Sequence, residues 1–334
     1  MQKVKVIFGI AISVFFIFLL GWNLNLADLG KAFNSINYTI IIPAVLIQIS
    51  SYWVRSIRWK YILSGIKPMK TKELLPIISI SYMANNLLPL RIGEFVRAYL
   101  VSKKGKISAA ASFSTILLER IYDGITLLLF LGFTALLFPF PDWVKQIGIL
   151  TTLLFLGALL FSVGIVSFRS KTMQLVNWGL KIFPKRLHAK LSTLIDKLIV
   201  GLEVVKNKRA LLPIAFYSIL IWLMEASLFY AIAEAFDFSS TVYIALFTLV
   251  IVNLGIMIPS SPGYIGTFEF FVSKSLGVFG IIKELALGYS VILRITQYIP
   301  ITIIGFIFML KEGLSFKSIT KLSKDEEEKV YGGE

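Results

Sequence analysis

The chain has 334 residues, of which 57% are hydrophobic and 16% are charged, and its mean hydropathy is +0.80. A water-soluble domain of this size cannot bury so much apolar surface, so the composition excludes a soluble fold and indicates an all-α integral membrane protein. The chain has no cysteine and one histidine, which excludes disulfides and cysteine- or histidine-rich metal sites, and we expect neither a metal nor a cofactor.

The first apolar stretch follows Lys3 and Lys5, as in a signal peptide, but it lacks a small-x-small cleavage site. We therefore predict that it is retained as a membrane span. Crossing a bilayer takes about 20 apolar residues. On that length the sequence predicts six full spans, at residues 4–22, 39–62, 112–138, 147–168, 211–235 and 285–310.

The net charge of +15 is concentrated between the predicted spans. Positive residues collect on the cytoplasmic side of membrane proteins, so this asymmetry predicts that both termini lie in the cytoplasm. The basic residues do not form one soluble face, so we expect no nucleic-acid partner. Four basic residues fall in the opposite set of loops, whereas 26 of the 34 fall in blocks at residues 3–5, 55–72, 103–106, 169–209 and 311–329.

The segment at about 74–102 contains the run NNLLPLRIGEFVRAYL and has basic blocks on both sides. A single crossing would put one of these blocks on the wrong side of the membrane. Pro89 and Gly93 lie near its middle, where we expect the backbone to turn. The sequence therefore predicts a re-entrant helical hairpin that enters and leaves on the cytoplasmic side.

The segment at about 241–280 has the same character and contains the run IPSSPGYIGTFEFF. Pro262, Gly263 and Gly266 interrupt its apolar sequence. Irregular backbone at membrane depth is tolerated only where it is buried in protein or lines a wet cavity. We predict a second re-entrant hairpin, which enters from the outer side.

The two halves of the chain are predicted to form an inverted repeat, with residues 1–140 as the first membrane repeat and 141–312 as the second. Each repeat holds two spans, a hairpin and one span, and three crossings per repeat require the second to be inverted, as in many transporters. Residues 313–334 form a charged cytoplasmic tail. At spacings of 173 or 174 residues, Pro89 matches Pro262, Gly93 matches Gly266, Arg120 matches Arg294 and Asp123 matches Gln297.

Residues 171–209 lie between the two halves and carry leucines at three- and four-residue steps, with lysines between them. This pattern predicts an amphipathic cytoplasmic helix that lies on the membrane or packs under the bundle. We interpret it as a linker between the repeats.

Charged residues inside the apolar segments are the candidates for function, because a charge at bilayer depth is costly unless it is paired or hydrated. One interpretation is that they only hold helices together. The other is a substrate cavity, which their clustering near two broken segments favours. Arginine suits a phosphate because its planar fork donates paired hydrogen bonds and stays charged. The acidic candidates are Glu94, Glu119, Asp123, Glu225 and Glu269.

The motifs at these residues resemble the lysylphosphatidylglycerol synthase transmembrane (flippase-like) family. The resemblance is carried by P-x-R-x-G-E-x-x-R in the first broken segment, LLERIYDG after it, and P-G-x-x-G-x-x-E in the second. It extends from the first span to about Leu310. The family includes the membrane half of the bacterial multiple peptide resistance factor and many stand-alone membrane proteins.

The resemblance implies a bundle with re-entrant elements that moves a lipid between leaflets, aminoacylated phosphatidylglycerol in the bifunctional members. Those members continue into an aminoacyl-transferase domain, whereas this chain ends in KLSKDEEEKVYGGE, so we expect no synthase activity and no enzyme. The predicted lipid-binding or translocation-pathway residues are Asn86, Pro89, Arg91, Gly93, Glu94, Arg97, Glu119, Arg120, Asp123, Pro262, Gly263, Gly266, Glu269, Arg294 and Gln297.

We predict a lipid transporter of the prokaryotic cytoplasmic membrane whose substrate is a membrane phospholipid with an anionic headgroup. No G-x-x-x-x-G-K-[ST] motif is present, so an ion gradient, such as that of protons, or the gradient of the lipid itself would drive movement. Three alternatives stay open: a transporter of a small anionic solute, a lipid-linked transferase with Mg²⁺ at Glu119 and Asp123, and a non-catalytic scaffold. Whether the chain forms a homo-oligomer also stays open.

Overall fold

The structure is a computed structural model that describes residues 2–21, 24–34, 36–88, 91–238, 241–258 and 260–315. Every regular element in these ranges is a helix, which confirms the all-α fold class. Short 3-10 turns cover Leu180–Ile182, Glu203–Lys206 and Pro262–Tyr264. The α-helices of the described ranges are α1 Gln2–Gly21, α2 Leu26–Asn34, α3 Tyr38–Leu63, α4 Thr71–Leu87, α5 Ile92–Gly105, α6 Ala109–Ala135, α7 Asp142–Ser167, α8 Arg169–Gly179, α9 Lys185–Leu202, α10 Lys208–Ala235, α11 Val242–Gly255, α12 Thr267–Gly277 and α13 Lys283–Lys311.

Four of these helices, α3, α7, α10 and α13, are long and apolar enough to cross a membrane. Helix α6 has 27 residues but carries charged side chains, and α1 has 20 residues. These six helices coincide with the six predicted spans to within a few residues. Leu153 and Leu160 on α7 point outward, with 69% and 71% of their surface exposed, as expected when lipid is the solvent. The number of crossings and their orientation stay predictions.

Helices α4 and α5 pack against each other around a break in the first irregular segment. The prediction that Gly93 lies in the turn is wrong, because Gly93 belongs to the first turn of α5. It allows close packing instead: a Cβ there would collide with the carbonyl oxygen of Ser81, and the Ser81 hydroxyl donates to the carbonyl of Gly93 at 2.8 Å. Pro89 lies outside the described residues.

Helices α11 and α12 form the second pair around a longer break. Gly263 and Gly266 have φ angles of +68° and +86°, which side chains other than glycine rarely adopt. Both glycines therefore lie where the chain turns, as predicted, and Pro262 opens the 3-10 turn that contains Gly263. Whether either hairpin enters and leaves the membrane on one side stays a prediction.

The predicted single helix at 171–209 is wrong in detail, because the chain forms α8 and α9 with a 3-10 turn after each. Pro184 immediately precedes α9 and favours the interruption. Arg169 joins the two helices by binding Asp196 at 2.7 Å and Glu203 at 2.6 Å. Helix α9 packs on α6, where Gly201 allows close contact with the backbone of Ala111.

Helices α3 and α10 pack along each other in the middle of the bundle, and α4, α6 and α13 also contact α3. Helix α2 occupies the connection between the first two predicted spans, where no element was predicted, and packs on α13. This arrangement brings the charged faces of α3, α6, α10 and α13 to the breaks of both hairpins.

Candidate functional site

A cavity of about 250 Å³ lies where the central helices meet the two breaks. Apolar side chains such as Leu127, Phe155 and Phe268 complete its wall. The rest of its lining is polar, which is costly within a membrane bundle unless the groups serve one another or a ligand. The polar residues are Gln48, Tyr52, Arg55, Tyr82, Asn85, Asn86, Arg91, Glu94, Arg120, Asp123, Trp222, Glu225, Asn253, Tyr264, Gln297 and Tyr298.

Arg97 and Glu119 form a paired ion contact beside the cavity rather than in it. The two terminal guanidinium nitrogens of Arg97 donate to the two carboxylate oxygens of Glu119 at 3.0 and 2.8 Å. Their side chains are 2% and 1% exposed, and Arg97 also lies over the ring of Trp59 at 3.8 Å. This geometry fixes α5 to α6 and leaves neither group free for a ligand.

The arginines and carboxylates in and beside the cavity form one charged cluster. Arg58 on α3 is a central residue of this cluster, and the sequence analysis did not predict it. Its fully buried guanidinium binds Asp123 at 2.5 Å, Glu119 at 3.2 Å and the Ser218 hydroxyl at 3.1 Å. The Trp222 indole also donates to Asp123 at 3.0 Å. The carboxylates of α6 are therefore held by α3 and α10 together.

Arg55 was missed in the same way, because both arginines were counted in the cytoplasmic block at 55–72. It binds Glu225 of α10 at 2.7 Å and donates to Tyr82 of α4 at 3.2 Å. Gln297 of α13 donates to the other oxygen of Glu225 at 3.2 Å. One signal was available: Arg55 and Arg58 are three residues apart on one helical face, within the apolar run 39–62 that was itself predicted to span.

Arg120 is a half-buried member of the cluster that lines the cavity, and 33% of its side chain is accessible. It contacts three carboxylates, Glu119 at 3.2 Å, Asp123 at 3.4 Å and Glu94 at 3.7 Å. Such a shared cation can exchange partners without being left unpaired.

Arg91 lies at the junction of the two breaks and differs from the other arginines of the cluster. Its Nε donates to the Tyr264 hydroxyl at 2.7 Å and one terminal nitrogen donates to the carbonyl of Ile256 at 3.2 Å. Both partners belong to the second hairpin and both are neutral. Arg91 and Tyr264 also have left-handed backbone, with φ of +54° and +57°, a conformation that costs energy and persists where the surroundings enforce it.

Glu269 and Arg294 stabilise the second break. Their ion pair is 2.9 Å long, and the backbone N–H of Gly266 donates to Glu269 at 2.7 Å. Arg294 also donates to the carbonyl of Tyr264 at 3.1 Å. This pair fixes the shape of the break that holds Tyr264 against Arg91.

The charges of the cluster do not cancel. Its carboxylates are Glu94, Glu119, Asp123, Glu225 and Glu269, and each has an arginine within 4.0 Å. Six arginines face these five carboxylates, which leaves one positive charge in excess. The six are Arg55, Arg58, Arg91, Arg97, Arg120 and Arg294. Among the described residues, Arg91 is the member of the cluster with no carboxylate within that distance. The excess charge therefore lies at the junction of the two hairpins.

The predicted site residues separate into three groups. Arg97, Glu119, Glu269 and Arg294 form ion pairs outside the cavity lining, and the three glycines and Pro262 shape the hairpins. Glu119 and Asp123 bind arginines instead of leaving their oxygens free for Mg²⁺, and the described residues hold no group of three or more metal-ligating side chains. The predicted residues that line the cavity are Asn86, Arg91, Glu94, Arg120, Asp123 and Gln297.

A profile of the lysylphosphatidylglycerol synthase transmembrane region matches residues 6–305. The chain belongs to this family. It is 26% identical over 330 residues to a UPF0104 membrane protein of Methanothermobacter thermautotrophicus, a match that covers 92% of this chain and 94% of the relative. It is 24% identical over 340 residues to the UPF0104 membrane protein MJ1595 of Methanocaldococcus jannaschii, with 93% and 96% covered.

A shorter match joins the chain to the glycosyltransferase AglD of Haloferax volcanii. The two are 25% identical over 127 residues, which is 38% of this chain and 20% of that protein. No solved structure matches the chain. The family and the full-length relatives establish a polytopic membrane protein, and these relatives are named for no catalytic domain.

Proposed function

We propose that this protein moves a phospholipid with an anionic headgroup between the leaflets of a prokaryotic cytoplasmic membrane. The headgroup passes through the polar cavity while the acyl chains stay in the lipid. The observation that carries this proposal is the excess positive charge of Arg91, which lines the cavity at the junction of the two hairpins.

Arg91 is well suited to a phosphate. Its planar guanidinium can donate two parallel hydrogen bonds to phosphate oxygens, and these bonds between opposite charges are stronger than its present bonds to neutral oxygens. Arg91 also immediately precedes α5, so the partial positive charge of that helix N-terminus acts on the same anion.

A lipid fits the surroundings of Arg91 better than a small soluble anion does. Arg91 and Tyr264 also line a second recess of about 230 Å³, together with Met257 and Ile258. The last two side chains are 41% and 40% exposed. Apolar side chains exposed beside a polar pocket give acyl chains a surface to follow, which a soluble anion does not need.

The contact between the breaks supplies a mechanism for movement. The two hairpins would enter from opposite faces, and Arg91 joins them through bonds to Tyr264 and Ile256 that a bound phosphate would replace. Substrate binding would then free one hairpin to move relative to the other, as inverted repeats do in alternating access. A gradient of protons or of the lipid would set the direction.

The test uses purified protein in liposomes that contain phosphatidylglycerol with a fluorescent headgroup label. Loss of fluorescence on adding a membrane-impermeant reductant reports how much lipid reaches the outer leaflet. We expect Arg91→Gln to lower the rate at least tenfold, since a lost charge-assisted bond is worth about 1.5–3 kcal/mol. Arg91→Lys keeps the charge without the fork and should give an intermediate rate.

Arg169→Gln is the matched control, because it removes an arginine that pairs with Asp196 and Glu203 outside the cavity lining. A wild-type rate for Arg91→Gln, with the protein folded, would refute the proposal. Uptake of labelled inorganic phosphate into the same liposomes tests the soluble-anion alternative, and we expect none above protein-free liposomes.

A further inference from the structure

A further recess, distinct from the cavity and from the recess at Arg91 and Tyr264, shares no lining residue with the charged cavity. It is a groove of about 660 Å³ between α5, the first turns of α6, and α9. No motif and no part of the proposed mechanism accounts for it.

The floor of the groove is apolar. The rings of Phe95 on α5 and Phe113 on α6 stack there with centroids 4.9 Å apart. Leu117 of α6 is 44% exposed at the same place, and Leu194 and Leu198 of α9 close the other side. The groove therefore offers an apolar channel between helices that suits a hydrocarbon chain.

The rim of the groove is basic. Lys190 and Lys197 of α9 both line it, and their seven-residue spacing puts them on one face of the helix. Among the described residues, no aspartate or glutamate lines the groove, and Asp196, beside Lys197, binds Arg169. Two ammonium groups above an apolar floor match the two parts of an anionic lipid.

The position of the groove agrees with that ligand. It lies at the end of α6 that follows the basic residues at 103–106, and α9 belongs to the basic block at 169–209. Both blocks are predicted to face the cytoplasmic leaflet, where anionic headgroups attract lysine and arginine.

We infer that this groove is a second lipid site, which binds one anionic phospholipid from the cytoplasmic leaflet. An acyl chain lies along Phe95 and Phe113, and the phosphate lies between Lys190 and Lys197. The site does not depend on Arg91 or on translocation, so it stands or falls separately from the proposed function.

Titration of the detergent-solubilised full chain with phosphatidylglycerol, followed by native mass spectrometry, tests the inference. We expect the double variant Lys190→Gln/Lys197→Gln to weaken binding by about 25-fold, because each lysine near an anionic lipid contributes about a fivefold factor. The control Lys181→Gln/Lys206→Gln removes the same charge from the same basic block outside the groove and should bind as the wild type does.

A second variant tests the groove itself. Thr193→Trp keeps the charge but puts a large side chain on an exposed position of the lining, and we expect at least fivefold weaker binding. Three results would overturn the inference. They are wild-type binding by either groove variant, equal weakening of binding by the control, and displacement of the lipid by glycerol 3-phosphate. Unchanged melting temperatures establish that the variants are folded.

Discussion

Arg97 and Arg91 lie six residues apart on the same hairpin, yet their surroundings differ in every respect. Arg97 is buried, and both of its terminal nitrogens bind one carboxylate, that of Glu119. Arg91 lines the cavity in a left-handed turn, and its hydrogen bonds within the described part of the chain go to the neutral oxygens of Tyr264 and Ile256. Arginine in a membrane segment is therefore not a functional marker by itself. Its partner and its access to the cavity separate a structural ion pair from a candidate for binding.

The largest effect that separates the two regions is expected at Arg97. Arg97→Ala removes two hydrogen bonds to the buried Glu119 carboxylate, which keeps only the 3.2 Å contacts to Arg58 and Arg120. Because each hydrogen bond to a charged group is worth about 1.5–3 kcal/mol, the free energy of unfolding should fall by about 3–5 kcal/mol. Thermal unfolding in detergent measures this loss. Arg91→Gln leaves no buried carboxylate unpaired and loses two hydrogen bonds to neutral oxygens, so its free energy of unfolding should fall by only about 1–2 kcal/mol.

The double variant Arg97→Met/Glu119→Leu is the control for the first prediction. It removes both charges and keeps apolar bulk, while Arg58 and Arg120 keep Asp123 as a partner, so it should recover most of the lost stability. If Arg97→Ala and Arg91→Gln lowered the melting temperature equally, the distinction between the two arginines would be wrong.

A smaller effect is expected at Gly93, which lies between the two arginines. A Cβ there meets the backbone carbonyl of Ser81, which cannot rotate away, so Gly93→Ala should cost about 1–3 kcal/mol by overpacking. Gly132→Ala on α6 is the control, because nothing lies within 4 Å of its added Cβ. Helix propensity then favours the alanine there. Equal melting temperatures for the two variants would contradict the packing of α4 on α5.

The smallest expected effect is at Tyr264. Tyr264→Phe removes one hydrogen bond to Arg91 and keeps the ring, so the free energy of unfolding should fall by about 1 kcal/mol. The phospholipid translocation rate should change while the amount of folded protein does not, since this bond joins the two breaks. A translocation rate equal to that of the wild type would remove the Arg91–Tyr264 contact from the mechanism.

Much of this fold follows from physical rules that act locally on the sequence. Apolar length located six helices, and two segments with proline and glycine became the two helix pairs with breaks. The left-handed backbone of Gly263 and Gly266 follows from glycine having no Cβ. Arg91 and Tyr264, which are also left-handed, lie 173 residues apart, the spacing that predicts the internal repeat. The repeat itself stays a prediction.

The partners of the buried charges could not be predicted, because they depend on how distant helices pack. Arg55 meets Glu225 across 170 residues of sequence, and Arg58 meets Asp123 across 65. In sequence, both arginines look like cytoplasmic charges at the end of a span. The turn attributed to Gly93 was wrong for a related reason, since close helix packing and a bend both select glycine.

The central claim, that the breaks of the two hairpins separate when lipid moves, has a direct test. The sequence contains no cysteine, so the substitutions Leu88→Cys and Ser260→Cys would introduce the only two thiols of the chain. Both positions line the recess between the breaks. A short bifunctional methanethiosulfonate reagent would join them, with the two single-cysteine variants as controls. We expect phospholipid translocation to stop in the joined protein and to return when a reductant cleaves the link. Translocation at an unchanged rate while the breaks are joined would contradict the account.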